Sequence, residues 1–137
     1  MRRMLFNGKM VGVLTILLVL FTAVGVAEEE RTDTGGQWNY ILADGEAFID
    51  GYMGSPPDDM LVPNEVDGYP VISIGDRAFE SLDITSVTIP AGIMRIGVNP
   101  FAQCPLKNIY VDSANPVYTA TKGVLFDTEQ KRLIAYP

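Results

Sequence analysis

The chain is 137 residues long, enough for one domain with one modest core. It holds no His and a single Cys, so the commonest general base and metal ligand is missing and no internal disulfide can form. The formal net charge of −7 is unevenly placed: Arg2, Arg3 and Lys9 open the chain, and from Glu28 onward 17 acidic residues stand against 7 basic ones. An acidic body of this kind lacks the basic face that nucleic acid or anionic lipid headgroups require, and suits a soluble, self-repelling exterior.

Residues 1–27 read as a targeting segment. A basic start leads into an apolar run from Met10 to Val26, and Gly25 and Ala27 supply small residues at −3 and −1 of a cleavage point before Glu28. The run exceeds the usual apolar core of a signal peptide, about 7–15 residues, and approaches the length that spans a bilayer, about 17–25. A cleaved signal peptide is the first reading and an uncleaved N-terminal anchor the alternative. Either way the body is exported, secreted or at the cell surface, and it meets the membrane only through this segment if the segment stays uncleaved. Residues 28–37 carry no apolar periodicity and are expected to be a flexible linker.

Residues 38–54 are expected to form a β-hairpin cap. Tyr40-Ile-Leu and Ala47-Phe-Ile are its arms, and Asp44-Gly45 between them supplies the positive φ of a tight turn. Trp38 and Phe48 are assigned to cap packing. The following turn region holds Asp58 and Asp59, two adjacent carboxylates without the spaced oxygen ligands that calcium needs.

Residues 55–112 are the repeats. The row from Val71 to Ile89 matches the row from Ile93 to Val111 with no gap at a spacing of 22 residues. The apolar pairs are Val71/Ile93, Ile74/Ile96, Phe79/Phe101, Leu82/Cys104, Ile84/Leu106, Val87/Ile109 and Ile89/Val111, and Gly75 matches Gly97. A fixed period of this length marks a solenoid, in which each unit buries its apolar face against its neighbours. Three strands are expected, over Met60-Leu-Val, Val87-Thr-Ile and Ile109-Tyr-Val. By the two-residue period of a strand, Met60, Val62, Val87, Ile89, Ile109 and Val111 face inward, while Asp59, Leu61, Ser86, Thr88, Asn108 and Tyr110 face outward. Pro63 and Pro90 end the first two strands. Asp67-Gly-Tyr-Pro70 is a surface turn that adjusts register. Asp76 to Ser81 and Val98 to Cys104 are expected to be short helical turns that stack Phe79 over Phe101. Cys104 takes the place of Leu82 one unit earlier, so it reads as a small buried apolar residue; with no His to act as base it is a poor nucleophile.

Residues 113–137 are expected to close the far end with a second hairpin, Val124-Leu-Phe against Leu133-Ile-Ala-Tyr136, joined by the polar loop Asp127 to Arg132.

The strings Ile84-Thr-Ser-Val-Thr-Ile-Pro90, Ile74-Gly-Asp-Arg-Ala-Phe79 and Ile96-Gly-Val-Asn-Pro-Phe-Ala-Gln-Cys104 resemble the BspA-like leucine-rich repeats of bacterial surface proteins, and Ala114 to Asp127 looks like that family's closing hairpin. The resemblance covers roughly residues 38 to 137. Pro100 stands where the family usually has Ala, Leu82 where it usually has Cys, and the number of repeats is low. The resemblance implies a β-rich leucine-rich-repeat solenoid with short parallel strands and hairpins at both ends. It also implies a non-catalytic role, in protein recognition or adhesion at or outside the cell surface. Asp59, Leu61, Ser86, Thr88, Asn108 and Tyr110 are the candidate ligand-contacting residues. No cofactor and no metal is implied, and no pair of carboxylates is spaced for glycosidase chemistry. The alternative function is a truncated fragment or structural spacer of a longer repeat protein, with no binding role of its own.

Overall fold

The computed structural model describes residues 27–129 and 131–137. The signal peptide or anchor expected at the N-terminus therefore lies, apart from Ala27, outside the described residues. The described chain forms twelve strands: β1 (Glu29–Thr32), β2 (Trp38–Ala43), β3 (Glu46–Tyr52), β4 (Asp59–Leu61), β5 (Glu65–Val66), β6 (Tyr69–Ile74), β7 (Ser86–Ile89), β8 (Arg95–Ile96), β9 (Asn108–Val111), β10 (Tyr118–Thr121), β11 (Val124–Asp127) and β12 (Leu133–Ala135).

Two parallel ladders carry the repeat. In one, β4, β7 and β9 lie side by side, with Met60 opposite Val87 and Val87 opposite Ile109. In the other, Ile49 of β3 is opposite Ile74 of β6, and Ile74 is opposite Ile96 of β8. Of the residue pairs read from the 22-residue spacing, Ile74/Ile96, Val87/Ile109 and Ile89/Val111 are thus ladder partners. The inward side chains build one core: Ile49, Met60, Ile74, Phe79, Ile84, Val87, Ile89, Ile93 and Ile109 are all fully buried. Removing an aliphatic side chain of this size from water contributes about 1.5–3 kcal/mol.

The segments between the ladders are not helical, which corrects the expectation of short helical turns. Arg77, Ser81, Asn99 and Gln103 all have positive φ, so no run of right-handed residues is long enough for a helix. The amides also divide their bonds. Ala78, Glu80 and Leu82 donate to the carbonyl three residues back, at 3.4, 2.9 and 3.3 Å. Arg77, Phe79 and Ser81 donate instead to Val98, Pro100 and Ala102 in the next repeat, at 3.1, 2.9 and 2.8 Å. A helix would consume all of these donors internally; here every second one ties one repeat to the next. Phe79 and Phe101 stack 5.6 Å apart with their planes 7° from parallel, as the spacing predicts. Pro100 fits this turn run because its C=O, not its missing N–H, makes the bond.

Both ends are closed by antiparallel strands. β2 and β3 form the expected hairpin, with Asp44 and Gly45 at φ 53° and 78°. Trp38 sits edge-on to Phe79 at 6.2 Å and to Tyr52 at 4.8 Å, sealing the core at this end. The stretch 28–37, expected as a linker, is corrected by the structure. Its residues Glu29 to Thr32 are β1, paired in register with Asn39 to Leu42, and Asp33 caps the connecting turn through the amides of Gln37 and Trp38 at 2.7 Å. Asp67, at φ 48°, turns β5 into β6 and reaches back to the same region: its carboxylate accepts from the Thr34 amide and hydroxyl at 2.9 and 2.6 Å and from the Tyr40 hydroxyl at 2.9 Å. At the other end β10, β11 and β12 form a three-stranded sheet, one strand more than the sequence reading placed. The buried Asn115 locks it on: its side-chain amide donates to the carbonyls of Pro90 and Ile93, and its oxygen accepts from the amides of Val117 and Tyr118.

Candidate functional site

The six candidate residues all lie on the β4–β7–β9 sheet, on the side away from the core. The parallel register places Asp59, Ser86 and Asn108 in one rank and Leu61, Thr88 and Tyr110 in a second. Their inward neighbours Met60, Val87 and Ile109 are at most 2% exposed, whereas Leu61 and Tyr110 are 64% and 52% exposed. The period of two, with one side set buried, fixes this orientation: a one-residue slip would put the whole apolar set in water.

The two ranks differ in chemistry. In the first, the Ser86 hydroxyl donates to the Asp59 carboxylate at 2.5 Å, and Asn108 continues the polar row. In the second, Thr88 lies between the apolar Leu61 and the aromatic Tyr110. A surface made of one carboxylate, hydroxyls, an amide, a Leu and a Tyr suits contact with a protein surface.

Beside β9 the sheet meets the C-terminal strands. The turn Lys122–Gly123 rests on it: Ile109 N–H donates to Gly123 C=O at 3.0 Å, and a Cβ on Gly123 would approach Asn108 Oδ1 to 2.9 Å. Between β9 and β10 lies a cleft of about 790 Å³, lined by Asn108 and Tyr110 together with Asp112, Thr119 and Lys122. The last three were not among the sequence candidates. The signal was present in Lys122-Gly123, which has the positive φ pair of a two-residue hairpin turn and so makes Tyr118 to Thr121 a strand.

The remaining titratable groups of note are structural. Burial pushes the Tyr118 hydroxyl above the ordinary tyrosine range, and that hydroxyl accepts from the Ile96 amide at 3.0 Å on the edge of β8. Burial likewise raises the Cys104 thiol, which donates to Phe79 C=O at 2.9 Å; the group is held as a thiol, half-buried within the repeat. A raised thiol is the opposite of what a nucleophilic Cys requires.

No family model and no curated protein matches this chain. Solved structures do. A leucine-rich cell surface protein from Faecalibacterium prausnitzii A2-165 is 34% identical, with a TM-score of 0.55, over 66% of this chain and 25% of that one. A leucine-rich repeat protein from Bacteroides capillosus ATCC 29799 is 31% identical, with a TM-score of 0.52, over 56% of this chain and 62% of that one. The chain thus spans less than two thirds of the length of either.

Proposed function

We propose, on the premise that the structural kin of this chain are the BspA-like leucine-rich-repeat surface proteins of bacteria, that it is an exported, non-catalytic protein-interaction module. In this reading residues 38–137 are a short leucine-rich-repeat solenoid, with a hairpin cap at 38–54, repeats at 55–112 and a closing hairpin at 113–137. Its ligand is a protein at or outside the cell surface. The observation that carries the reading is the register of β4, β7 and β9, which gathers six outward side chains into two ranks without using any of them in the core. Side chains that project from a rigid sheet, outside its core, are what a recognition surface needs.

Tyr110 and Leu61 are the anchors of that surface. A buried aromatic or aliphatic anchor at an interface centre carries over about 1 kcal/mol, which is a fivefold or greater change in affinity. The test is binding of the purified chain to immobilised extracellular matrix proteins, beside Tyr110→Ala and Leu61→Ser. The expected result is capture by wild type, lost in both variants, with unchanged melting temperatures. Capture that survives both substitutions at full strength places the binding surface elsewhere.

A further inference from the structure

The outer face of the N-terminal hairpin carries a small cleft that the core does not use. Ala47 and Ile49 of β3 are fully buried, so Phe48 between them points to the other side of the sheet. The register sets Phe48 opposite Ile41 of β2 and Ser73 of β6, and Ser73 opposite Arg95 of β8. On this face Ile41, Ala43 and Phe48 wall a cleft of about 200 Å³, to which Gly75 adds no side chain. Two exposed carboxylates, Glu28 and Asp50, also line it, and neither has a hydrogen-bond or ion-pair partner among the described residues. Ser73 lines it too, and is 8% exposed. Its hydroxyl has no partner among the described residues either. Yet none of their buried side-chain oxygens is sealed from solvent without a partner, so Ser73 Oγ opens into the cleft. Among the described residues no basic side chain lines it. Arg95 lies over the Phe48 ring at 5.9 Å and pairs with neither carboxylate.

We infer that this cleft takes a lysine side chain presented by a partner protein, with its alkyl stem on Ile41, Ala43 and Phe48 and its ammonium among Ser73 Oγ, Asp50 and Glu28. The chemistry of the lining selects this occupant. A lysine has an apolar stem and a compact cationic head with three donors and no acceptor. The cleft supplies an apolar wall, one hydroxyl and two carboxylates. An anionic side chain meets two like charges there. A neutral apolar one leaves Ser73 Oγ shut away without a partner, which costs free energy. A guanidinium brings five donors in a rigid plane, more than this set of acceptors matches. The free Ser73 hydroxyl is what separates the cleft from the rest of the acidic surface, since exposed carboxylates alone are well solvated and their ion pairs add little. The Arg95 contact shows that the Phe48 ring tolerates a cation on its face. The cleft has room for one side chain, so the contact is weak alone and acts as one anchor of a larger interface. It lies on a different sheet from β4, β7 and β9, so neither this reading nor the preceding one depends on the other.

The experiment is a chemical-shift titration of the isotope-labelled full chain with Nα-acetyl-lysine N-methylamide, up to about 50 mM. The norleucine and arginine counterparts and n-butylamine are titrated beside it. The expected result is saturating shifts centred on Ile41, Phe48, Asp50, Ser73 and Gly75, with affinity about fivefold lower for the norleucine and arginine compounds. Asp50→Asn and Ser73→Ala each lower the affinity for the lysine compound by about fivefold. Raising salt from about 0.05 M to about 0.5 M lowers it as well, because both carboxylates are exposed to screening. Shifts that do not saturate at these residues overturn the inference. So does equal binding of the norleucine compound, and so does wild-type affinity in both variants. Tighter binding of n-butylamine than of the lysine compound also overturns it, and assigns the cleft to free amines. Should Ser73→Ala fail to fold, Asp50→Asn and the norleucine comparison decide.

Discussion

Gly75 and Gly97 are equivalent in sequence, yet the structure makes them unequal, and Gly97→Ala is the sharper test. A Cβ on Gly97 would run into the Asp76 carboxylate, the Asp76 backbone nitrogen at 2.5 Å and the Gly75 carbonyl carbon at 2.7 Å. Two of these are backbone atoms of the preceding repeat, which cannot swing aside. The crowding has a purpose: the Gly97 amide donates to Ile74 C=O at 2.8 Å, and the Val98 amide donates to Asp76 Oδ1 at 2.7 Å. A methyl group there must push the repeats apart at the point where they are bonded. Overpacking of this kind together with two weakened bonds costs about 3–5 kcal/mol. On Gly75 the same methyl would find Ile49 O at 3.2 Å and Asp50 Oδ1 at 3.3 Å, so a shift of a few tenths of an ångström relieves it. Gly75→Ala therefore costs about 1 kcal/mol or less, part of it offset by the reduced freedom of the unfolded chain. Thermal melts followed by circular dichroism measure both, and a loss of 3–5 kcal/mol in a domain this size lowers Tm by more than about 12 °C. The double variant Asp76→Ala/Gly97→Ala removes the carboxylate contact but leaves the two backbone contacts, so it recovers less than half. If Gly97→Ala melts within a few degrees of wild type, or Gly75→Ala is equally damaging, the close approach of the repeats at Asp76 is wrong.

Phe101→Ala leaves a cavity under the stacked Phe79 ring and lowers stability by about 3–5 kcal/mol in urea titrations, whereas truncating the half-buried Leu82 costs clearly less. The Asp67 carboxyl is held below the ordinary value of 3.8, first by the Thr34 hydroxyl, then by the Thr34 amide and the Tyr40 hydroxyl. Because the folded value is the depressed one, its contribution is fully present above 3.8 and is lost as pH falls through the folded value. The stability gap between wild type and Asp67→Asn therefore narrows as melts are moved from neutral pH to below that value; a gap that stays constant across the series removes Asp67 from the acid response.

The parts of this fold that were legible in the sequence are those where side-chain burial alternates. Met60, Val62, Val87, Ile89 and Ile109 announced their ladder because one face is buried and the other wet. Phe79 and Phe101 announced their stack because the same residue recurs one period on. Asp44-Gly45 announced its hairpin through turn chemistry. The missed parts are held by backbone instead. β1 reads Glu-Glu-Arg-Thr, all but one of them exposed, and only its ladder with Asn39 to Leu42 makes it a strand. β8 is two residues long, too short for any period. The turn runs misled in another way. Pro100 and the spacing around Ala78 and Phe79 suit a helical turn locally, but Arg77 and Ser81 take positive φ where their amides bond to the neighbouring repeat. Those bonds are non-local, and residue type does not report them. For the candidate site, the six strand residues follow from alternation alone, while Asp112, Thr119 and Lys122 depend on where β10 lands.

The same division bears on how recognition and stability are distributed. Gly97, Phe101, Asn115 and the alternate amides of the turn runs hold the repeats together, each through a contact about one period away. Asp59, Leu61, Ser86, Thr88, Asn108 and Tyr110 project from strands whose pairing is carried by backbone and whose packing is carried by the residues between them. Of the six, Asp59 and Ser86 bond to each other, and Asn108 meets the Gly123 turn. Leu61, Thr88 and Tyr110 therefore carry the least structural cost of change. Substitutions there shift stability by no more than about 0.5 kcal/mol, the range of surface sites without caps, cavities or buried polar groups. Substitution on the proposed recognition face thus needs no change in the repeat, and the second rank is where it costs least stability.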